Sequence, residues 1–226
     1  MSDSFDPTPD DRFTFGLWTV GNPGADPFGP RVRPSISPTE IVAGLAKVGA
    51  YGVNLHDNDL VPFGASAAER DRIVADFKQA CEDHGLAVPM ATTNLFSHPV
   101  FRDGAFTSSN PKVRAYAIQK VMRSIETGIE LGAKINVFWG GREGYETLLN
   151  TNIKQELDQF GRFLNMVVEY KHKIGFEGQF YIEPKPKEPT SHQYDADAET
   201  CLASAFTSSW IPAGTERARR SPCAGR

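Results

Sequence analysis

The sequence predicts an α/β chain of the (β/α)8-barrel (TIM-barrel) type, carried through about five of the eight units. Three observations predict it. Short apolar runs alternate with helix-period stretches at roughly 40 residues per unit, the rhythm of parallel strands joined by right-handed crossovers. Polar and aromatic residues gather at the C-terminal end of each run, the face on which such barrels build their sites. No GxGxxG or GxxxxGK[ST] follows any run, which weakens the competing architecture, an open doubly wound sheet holding a nucleotide.

The first strand is expected in "FTFGLWTV" (13–20), which ends on Trp18-Thr19. Its aromatic and β-branched residues suit a pleated, half-buried surface. Ser37-Pro38 then supplies a cap and a first-turn proline for a helix with apolar positions at Ile41, Val42, Leu45 and Val48. "YGVNLHD" (51–57) is the second strand, followed by a helix through Ile73, Phe77, Ala80 and Cys81. "AVPMATTN" (87–94) is the third, with a helix through Ile118, Val121, Met122, Ile125 and Ile129. "KINVFWGG" (134–141) is the fourth, with a helix through Ile153, Leu157, Phe160, Leu164 and Val168. "GQFYIEP" (178–184) is the fifth. All four helices follow i, i+3, i+4, i+7 spacing. Gly49, Gly85, Gly132 and Gly175 stand where a helix ends on a left-handed glycine. After about residue 197 the rhythm stops, and "AETCLASAFTSSWIPAGTERARRSPCAGR" shows neither a sixth strand nor a clean amphipathic helix. The expected division is a partial barrel over 1–197 and a disordered or foreign tail over 198–226.

Bulk properties narrow the function classes. With 40% hydrophobic residues in 226, the chain can bury a sizeable core, so global disorder is excluded. A net charge of −4 and a pI of about 5.8 give nucleic acid and anionic membranes no general electrostatic attraction. The final "ERARR" is too short to change that. The acidic start "MSDSFDPTPDDR" lacks the form of a secretory signal, and no apolar run approaches the roughly 20 residues that span a bilayer. Cys81, Cys201 and Cys223 are odd in number and without CxxC spacing, which points to a reducing compartment. A cytoplasmic setting is the expectation.

Chemistry is expected at the strand ends. In "HDNDLVPFG", His56 is the acid–base candidate, with Asp57 and Asp59 close enough to fix its tautomer; the alternative is a solvated, Asp-rich turn. In "QFYIEPKPKEP", strand alternation points Glu183 and Lys185 to one side. Glu183 suits a hard cation such as Mg2+ or Mn2+, and Lys185 suits a substrate oxygen; the alternative is an ion pair at a strand end. "KEPTSHQYDAD" adds Glu188, His192, Asp195 and Asp197 without a recognisable ligand spacing. Trp18, Phe96 and Trp139 could wall a pocket suited to a sugar, apolar on its C–H faces and hydroxylated at its rim; the alternative, favoured for these residues alone, is core at the top of the barrel.

Several stretches, in order, resemble xylose isomerase: "RFTFGLWTVG", "DPFG", "HDNDLVPFG", "VPMATTNLFSHPVFRDGAFTS", "GAKINVFWGGREG" and "IEPKPKEPT". The resemblance runs from about residue 12 to 197. Up to about 138 it is similar to the shorter branch of the family, and from "WGGREGYETLLNT" to "HQYDAD" to the longer one. It implies a (β/α)8 barrel with a C-terminal helical arm, a homotetramer, and two divalent cations per subunit, Mg2+ with Mn2+ or Co2+ as substitutes. It also implies aldose–ketose interconversion, D-xylose to D-xylulose and D-glucose to D-fructose, by a metal-assisted hydride shift between C1 and C2. By resemblance, His56 assisted by Asp59 would open the sugar ring, and Lys185 would hydrogen-bond the oxygen beside the reacting carbon. Trp18, Phe96 and Trp139 would line the pocket, Phe28 would reach into a neighbouring subunit's site, and Glu183 would ligate a metal. The remaining metal ligands of the family lie in later strands that have no counterpart here. A non-catalytic or partner-dependent half-barrel is therefore the alternative to an active isomerase. A sugar epimerase or endonuclease of the same superfamily is a further one, the endonuclease opposed by the acidic pI.

Overall fold

A computed structural model describes residues 8, 10–24 and 30–207. Its strands are β1 (Thr14–Gly16), β2 (Gly52–His56), β3 (Met90–Thr92), β4 (Ile135–Phe138), β5 (Gly144–Tyr145), β6 (Gln179–Ile182) and β7 (His192–Gln193). Its helices are α1 (Leu17–Val20), α2 (Pro38–Lys47), α3 (Asp57–Leu60), α4 (Ala67–His84), α5 (Pro111–Glu130), α6 (Ile153–Lys173) and α7 (Ala198–Thr207). The sheet order is β1-β2-β3-β4-β6, parallel throughout, and β5 pairs antiparallel with β7. This is the predicted α/β architecture, five consecutive units of a barrel.

The helices begin and end for the reasons the sequence supplies. The Ser37 hydroxyl accepts from the Glu40 N–H while the Glu40 carboxylate accepts from the Ser37 N–H, a reciprocal capping box ahead of Pro38. Gly49, Gly85, Gly132 and Gly175 all carry positive φ at the far ends, where a β-carbon would be strained.

One face of the sheet is covered by helices. Val53 and Leu55 of β2 pack with Ile41, Val42 and Leu45 of α2 and with Val74, Phe77 and Cys81 of α4. Phe138 of β4 and Phe180 of β6 pack with Val121 and Ile125 of α5 and with Phe160, Phe163 and Leu164 of α6. On the opposite face Tyr181 of β6 is 50% exposed, and at the other edge Phe13 is 56% exposed. An apolar edge is thus open at both ends of the sheet.

Two expectations need correction. The strand expected over 13–20 stops at Gly16, because the chain turns directly into α1 and carries Trp18 round onto the end of the sheet. The chain past 197 does contain a helix: α7, which packs on α6. Its apolar residues are too small and scattered to show a stripe in the sequence. Residues beyond 207 lie outside the described residues.

Gly52 marks a tight crossing of backbone on backbone. A β-carbon there would stand 2.5 Å from the Ala87 carbonyl oxygen, which the Val53 N–H holds at 2.9 Å. Backbone cannot yield as a flexible side chain would, so Gly52→Ala is expected to lower unfolding free energy by about 2 kcal/mol, read as a lower urea midpoint.

Candidate functional site

β2 delivers His56 to the end of the sheet, and α3 starts at the next residue. The chain therefore bends back, and Asp59 returns to its own cap residue. Its Oδ2 accepts from the His56 N–H at 2.8 Å and lies 3.1 Å from Nδ1. Both side chains are mostly buried. This occupies Nδ1 and leaves Nε2 as the ring's working nitrogen.

The aromatic side chains continue from that imidazole in both directions. Trp18 meets His56 edge-on at 4.5 Å between ring centroids, and His56 meets Phe96 at 5.5 Å. Phe96 meets Trp139 at 4.5 Å, and the Lys185 ammonium lies 4.8 Å from the centre of the Trp139 ring. One row of contacts, Trp18–His56–Phe96–Trp139–Lys185, thus follows the sheet order from β1 to β6. Glycines make room for the indoles: a β-carbon at 16 would sit 2.5 Å from the Trp18 ring, and one at 141 would sit 2.9 Å from the Trp139 ring. The row has an apolar wall, an imidazole with one nitrogen free and an ammonium at its far end.

Behind it lies a buried polar support. Lys120 of α5 ion-pairs with Asp57 and donates to Asn58 Oδ1 at 2.7 Å and to the Asn94 carbonyl at 2.9 Å. Burial pulls the Lys120 ammonium below the ordinary lysine range, and Asp57 opposes that. The other Asp57 oxygen accepts from the Asn94 N–H at 2.8 Å. Asn94 Oδ1 in turn accepts from the Phe96 and Ser97 N–H groups, fixing the turn that presents Phe96. Asp57 therefore serves the support network, while Asp59 serves the histidine.

The segment past β6 is placed differently from the expectation. β6 ends at Ile182, so Glu183 and Lys185 lie just beyond the strand. The ion-pair partner of Lys185 is Glu188, at 2.9 Å, rather than Glu183. Glu183 is exposed. Phe28 lies outside the described residues.

Two carboxylates are buried: Glu143, which nothing in the sequence marks, and Asp195, one of the carboxylates of "KEPTSHQYDAD". Glu143, 1% exposed, gathers the Ala105 and Thr107 N–H groups at 2.9 Å, the Phe106 N–H at 3.3 Å and the Thr107 hydroxyl at 2.5 Å. Burial pushes its carboxyl up to about 7 against those hydrogen bonds. Asp195 is fully buried beside the Trp139–Gly140 turn; burial, with Glu183 adding a smaller like-charge effect, pushes it up to about 6. A short β5–β7 pairing brings it there, which loop-like composition conceals.

The described residues do not fit a pair of divalent cations. No group of three or more His, Cys, Asp or Glu side chains among them is arranged to hold a metal ion. Glu183 offers one exposed carboxylate, and the unpartnered Oδ1 of Asp195 is sealed from solvent. Mg2+ and Mn2+ need a fuller oxygen shell.

Among the described residues, no helix is long and apolar enough to cross a membrane. A family model described as a xylose isomerase-like TIM barrel matches residues 42–211. A xylose isomerase of Thermus thermophilus is 50% identical over 199 residues, covering 88% of this chain; the chain spans 51% of that relative's length. A 3-keto-D-glucoside 4-epimerase of E. coli superposes with a TM-score of 0.60 at 14% identity, over 86% of this chain and 63% of that one. A D-tagatose 3-epimerase-like protein does so with a TM-score of 0.60 at 15% identity, over 85% and 59%. These two share the fold. By the model match and the identity to the Thermus protein, this chain belongs to the xylose isomerase-like TIM-barrel family.

Proposed function

We propose that this chain carries the sugar-binding and ring-opening half of an aldose–ketose isomerase site, with D-xylose as the substrate and D-xylulose as the product. The observation that carries this reading is the unbroken row from Trp18 to Lys185. Indole and phenyl faces suit the C–H faces of a pyranose. His56, held by Asp59 through Nδ1, offers Nε2 to the anomeric hydroxyl. Nε2 takes the hydroxyl proton as the C1–O5 bond breaks, and the imidazolium returns that proton to O5, giving the open aldehyde and a neutral imidazole with no net proton change. Lys185 donates a hydrogen bond to the sugar oxygen beside C1 and cannot accept one, so it favours that oxygen's more negative form.

Kinship to a xylose isomerase supports a divalent-metal requirement for the isomerisation itself. In this reading Glu183 would contribute one oxygen, and the described residues do not by themselves account for the transfer between C1 and C2. A homotetramer and a cytoplasmic setting belong to the same proposal.

The test is D-xylose binding, followed by tryptophan emission, together with a D-xylulose assay in Mg2+ or Mn2+ against EDTA. Saturable binding weakened about tenfold, near 1.4 kcal/mol, by His56→Ala is the expected result. Absence of binding by the folded chain would remove the reading. Turnover abolished by EDTA and by Lys185→Ala would show that further ligands are supplied by residues beyond those described or by another chain.

A further inference from the structure

We propose that Asp195 is a positioning residue of this site: its buried carboxylate locks the exit of β4 to the exit of β6 and so sets the Lys185 ammonium over the Trp139 ring. The functional meaning of that lock rests on the sugar-site reading above; its geometry does not.

Asp195 is held to both exits at once. Its Oδ2 accepts from the Gly140 N–H at 2.8 Å, through the side chain. Its main-chain carbonyl accepts from the Lys185 N–H at 3.1 Å. Gly140 is what lets the two meet, because a β-carbon there would stand 2.6 Å from Oδ2 and 3.0 Å from Oδ1. The approach is enforced from both sides. The Tyr194 N–H donates to the Glu143 carbonyl at 2.9 Å, and the Tyr194 hydroxyl donates to Glu156 at 2.7 Å. Gln193 Nε2 donates to the Gly141 carbonyl at 3.2 Å.

Two features argue that the carboxylate serves placement rather than stability. First, Oδ1 is buried with no hydrogen-bond partner, although the residue is 0% exposed. A buried carboxylate with an idle oxygen is a poor stabiliser beside an apolar side chain of similar size. Second, among the described residues the ion pair that Lys185 makes is with Glu188, whose side chain is 73% exposed. Such a surface pair holds a lysine weakly. What fixes Lys185 relative to Trp139 is therefore the backbone on which each stands, and Asp195 joins those two pieces of backbone.

The test uses the intact chain, labelled with 15N and 13C. In the wild type, the ring current of Trp139 is expected to shift the Lys185 side-chain protons, and the Gly140 amide is expected to exchange slowly. Asp195→Ala is expected to abolish the ring-current shift and to speed Gly140 exchange about tenfold. Asp195→Asn keeps an oxygen for the Gly140 N–H and is expected to restore both. Should Asp195→Ala not fold, Asp195→Leu fills the same volume without an acceptor and is read the same way. A merely structural role would lower the unfolding midpoint while leaving the ring-current shift intact, and that result overturns the proposal. So does an Asp195→Asn variant that behaves like Asp195→Ala.

A second arm comes from the glycine. Gly140→Ala should displace Trp139 in the wild type but be accommodated once Asp195→Ala has removed the carboxylate, so the two effects should be non-additive. Additive effects count against a shared contact. None of these readouts needs sugar turnover. If D-xylose does not bind while they hold, the functional reading falls and the lock stands.

Discussion

Replacing Glu143 with alanine is expected to lower the unfolding free energy by about 3 kcal/mol, read by urea denaturation near pH 8, where the carboxylate is ionised. The carboxylate closes the 105–107 segment from inside, through three backbone N–H groups and one hydroxyl. Alanine leaves those donors buried without acceptors, at about 1–3 kcal/mol each before relaxation. The release of a buried charge offsets part of this, so the net stays below the sum. Glu143→Gln separates the two effects. It keeps the shape but turns an NH2 toward N–H donors, so it is expected to lie between the wild type and alanine.

Glu143 also predicts a pH dependence of stability. Its carboxyl rises from an ordinary 4.5 to about 7 in the folded chain. Below 4.5 it is protonated in both states and has no effect. Between 4.5 and 7 the unfolded chain ionises while the folded chain keeps its proton, so stability falls as pH rises. Above about 7 both are ionised and the loss, about 3 kcal/mol, is complete. Asp195, raised from 3.8 to about 6, acts with the same sign in a lower window. The unfolding midpoint is therefore expected to decline from pH 5 to pH 7.5. Glu143→Gln should flatten most of that decline, and an equal slope in both proteins would refute the assignment.

Much of the fold was legible in the sequence because periodicity and punctuation agreed. Ser37-Pro38, the four left-handed glycines and the alternating apolar runs each bear on one local choice, and each matches the structure. The faces of long helices were less legible. Ile118, Met122 and Ile129 belong to the apolar stripe of α5, yet its buried face runs through Ala117, Lys120, Val121, Ser124, Ile125 and Gly128. The helix is rotated from its most apolar direction because the sheet demands small residues. A β-carbon at 128 would stand 3.1 Å from the β-carbon of Ala91.

The same distinction divides the site. Trp18, His56, Phe96, Trp139 and Lys185 stood out because each follows a strand, and five strand ends of one sheet must meet. Their assembly into one row is geometric and follows from the topology alone. Glu143 and Lys120 were not legible, and Asp195 was legible only as one of several carboxylates of a loop, not as a buried one. Each is a charged residue in a loop or on a helix, where solvent exposure is the ordinary outcome. What buries them is long-range pairing, Glu143 with residues 36 to 38 positions earlier and Lys120 with residues 62 and 63 positions earlier. No local pattern encodes such a partner.

Lys120→Met is expected to be the most damaging single change at the site, at about 3–5 kcal/mol of stability, measured by thermal and urea unfolding. Methionine matches the length of the lysine stem and fills its volume, so the change isolates the charge. Lys120 is 9% exposed and satisfies Asp57, Asn58 and the Asn94 carbonyl together. Without it, Asp57 keeps the Asn94 N–H but stands in a mostly buried setting with no counter-charge, the costly half of a broken ion pair. The damage should extend beyond stability. Asp57 is the first residue of α3, the turn that returns Asp59 to His56, and Asn94 is the turn that presents Phe96. Loss of the lysine therefore loosens both neighbours in the middle of the aromatic row. The expected signature is a weakened His56–Asp59 contact, visible as displaced His56 ring and backbone amide resonances by NMR, in protein that is still folded at low temperature. The double variant Lys120→Met/Asp57→Asn should recover part of the stability, because it removes the orphaned charge. Recovery of the His56 resonances in the same variant would show that repulsion at Asp57, rather than loss of packing, had displaced the turn. No recovery in either measurement would mean that the lysine stem and its contacts, not its charge, hold this part of the site together.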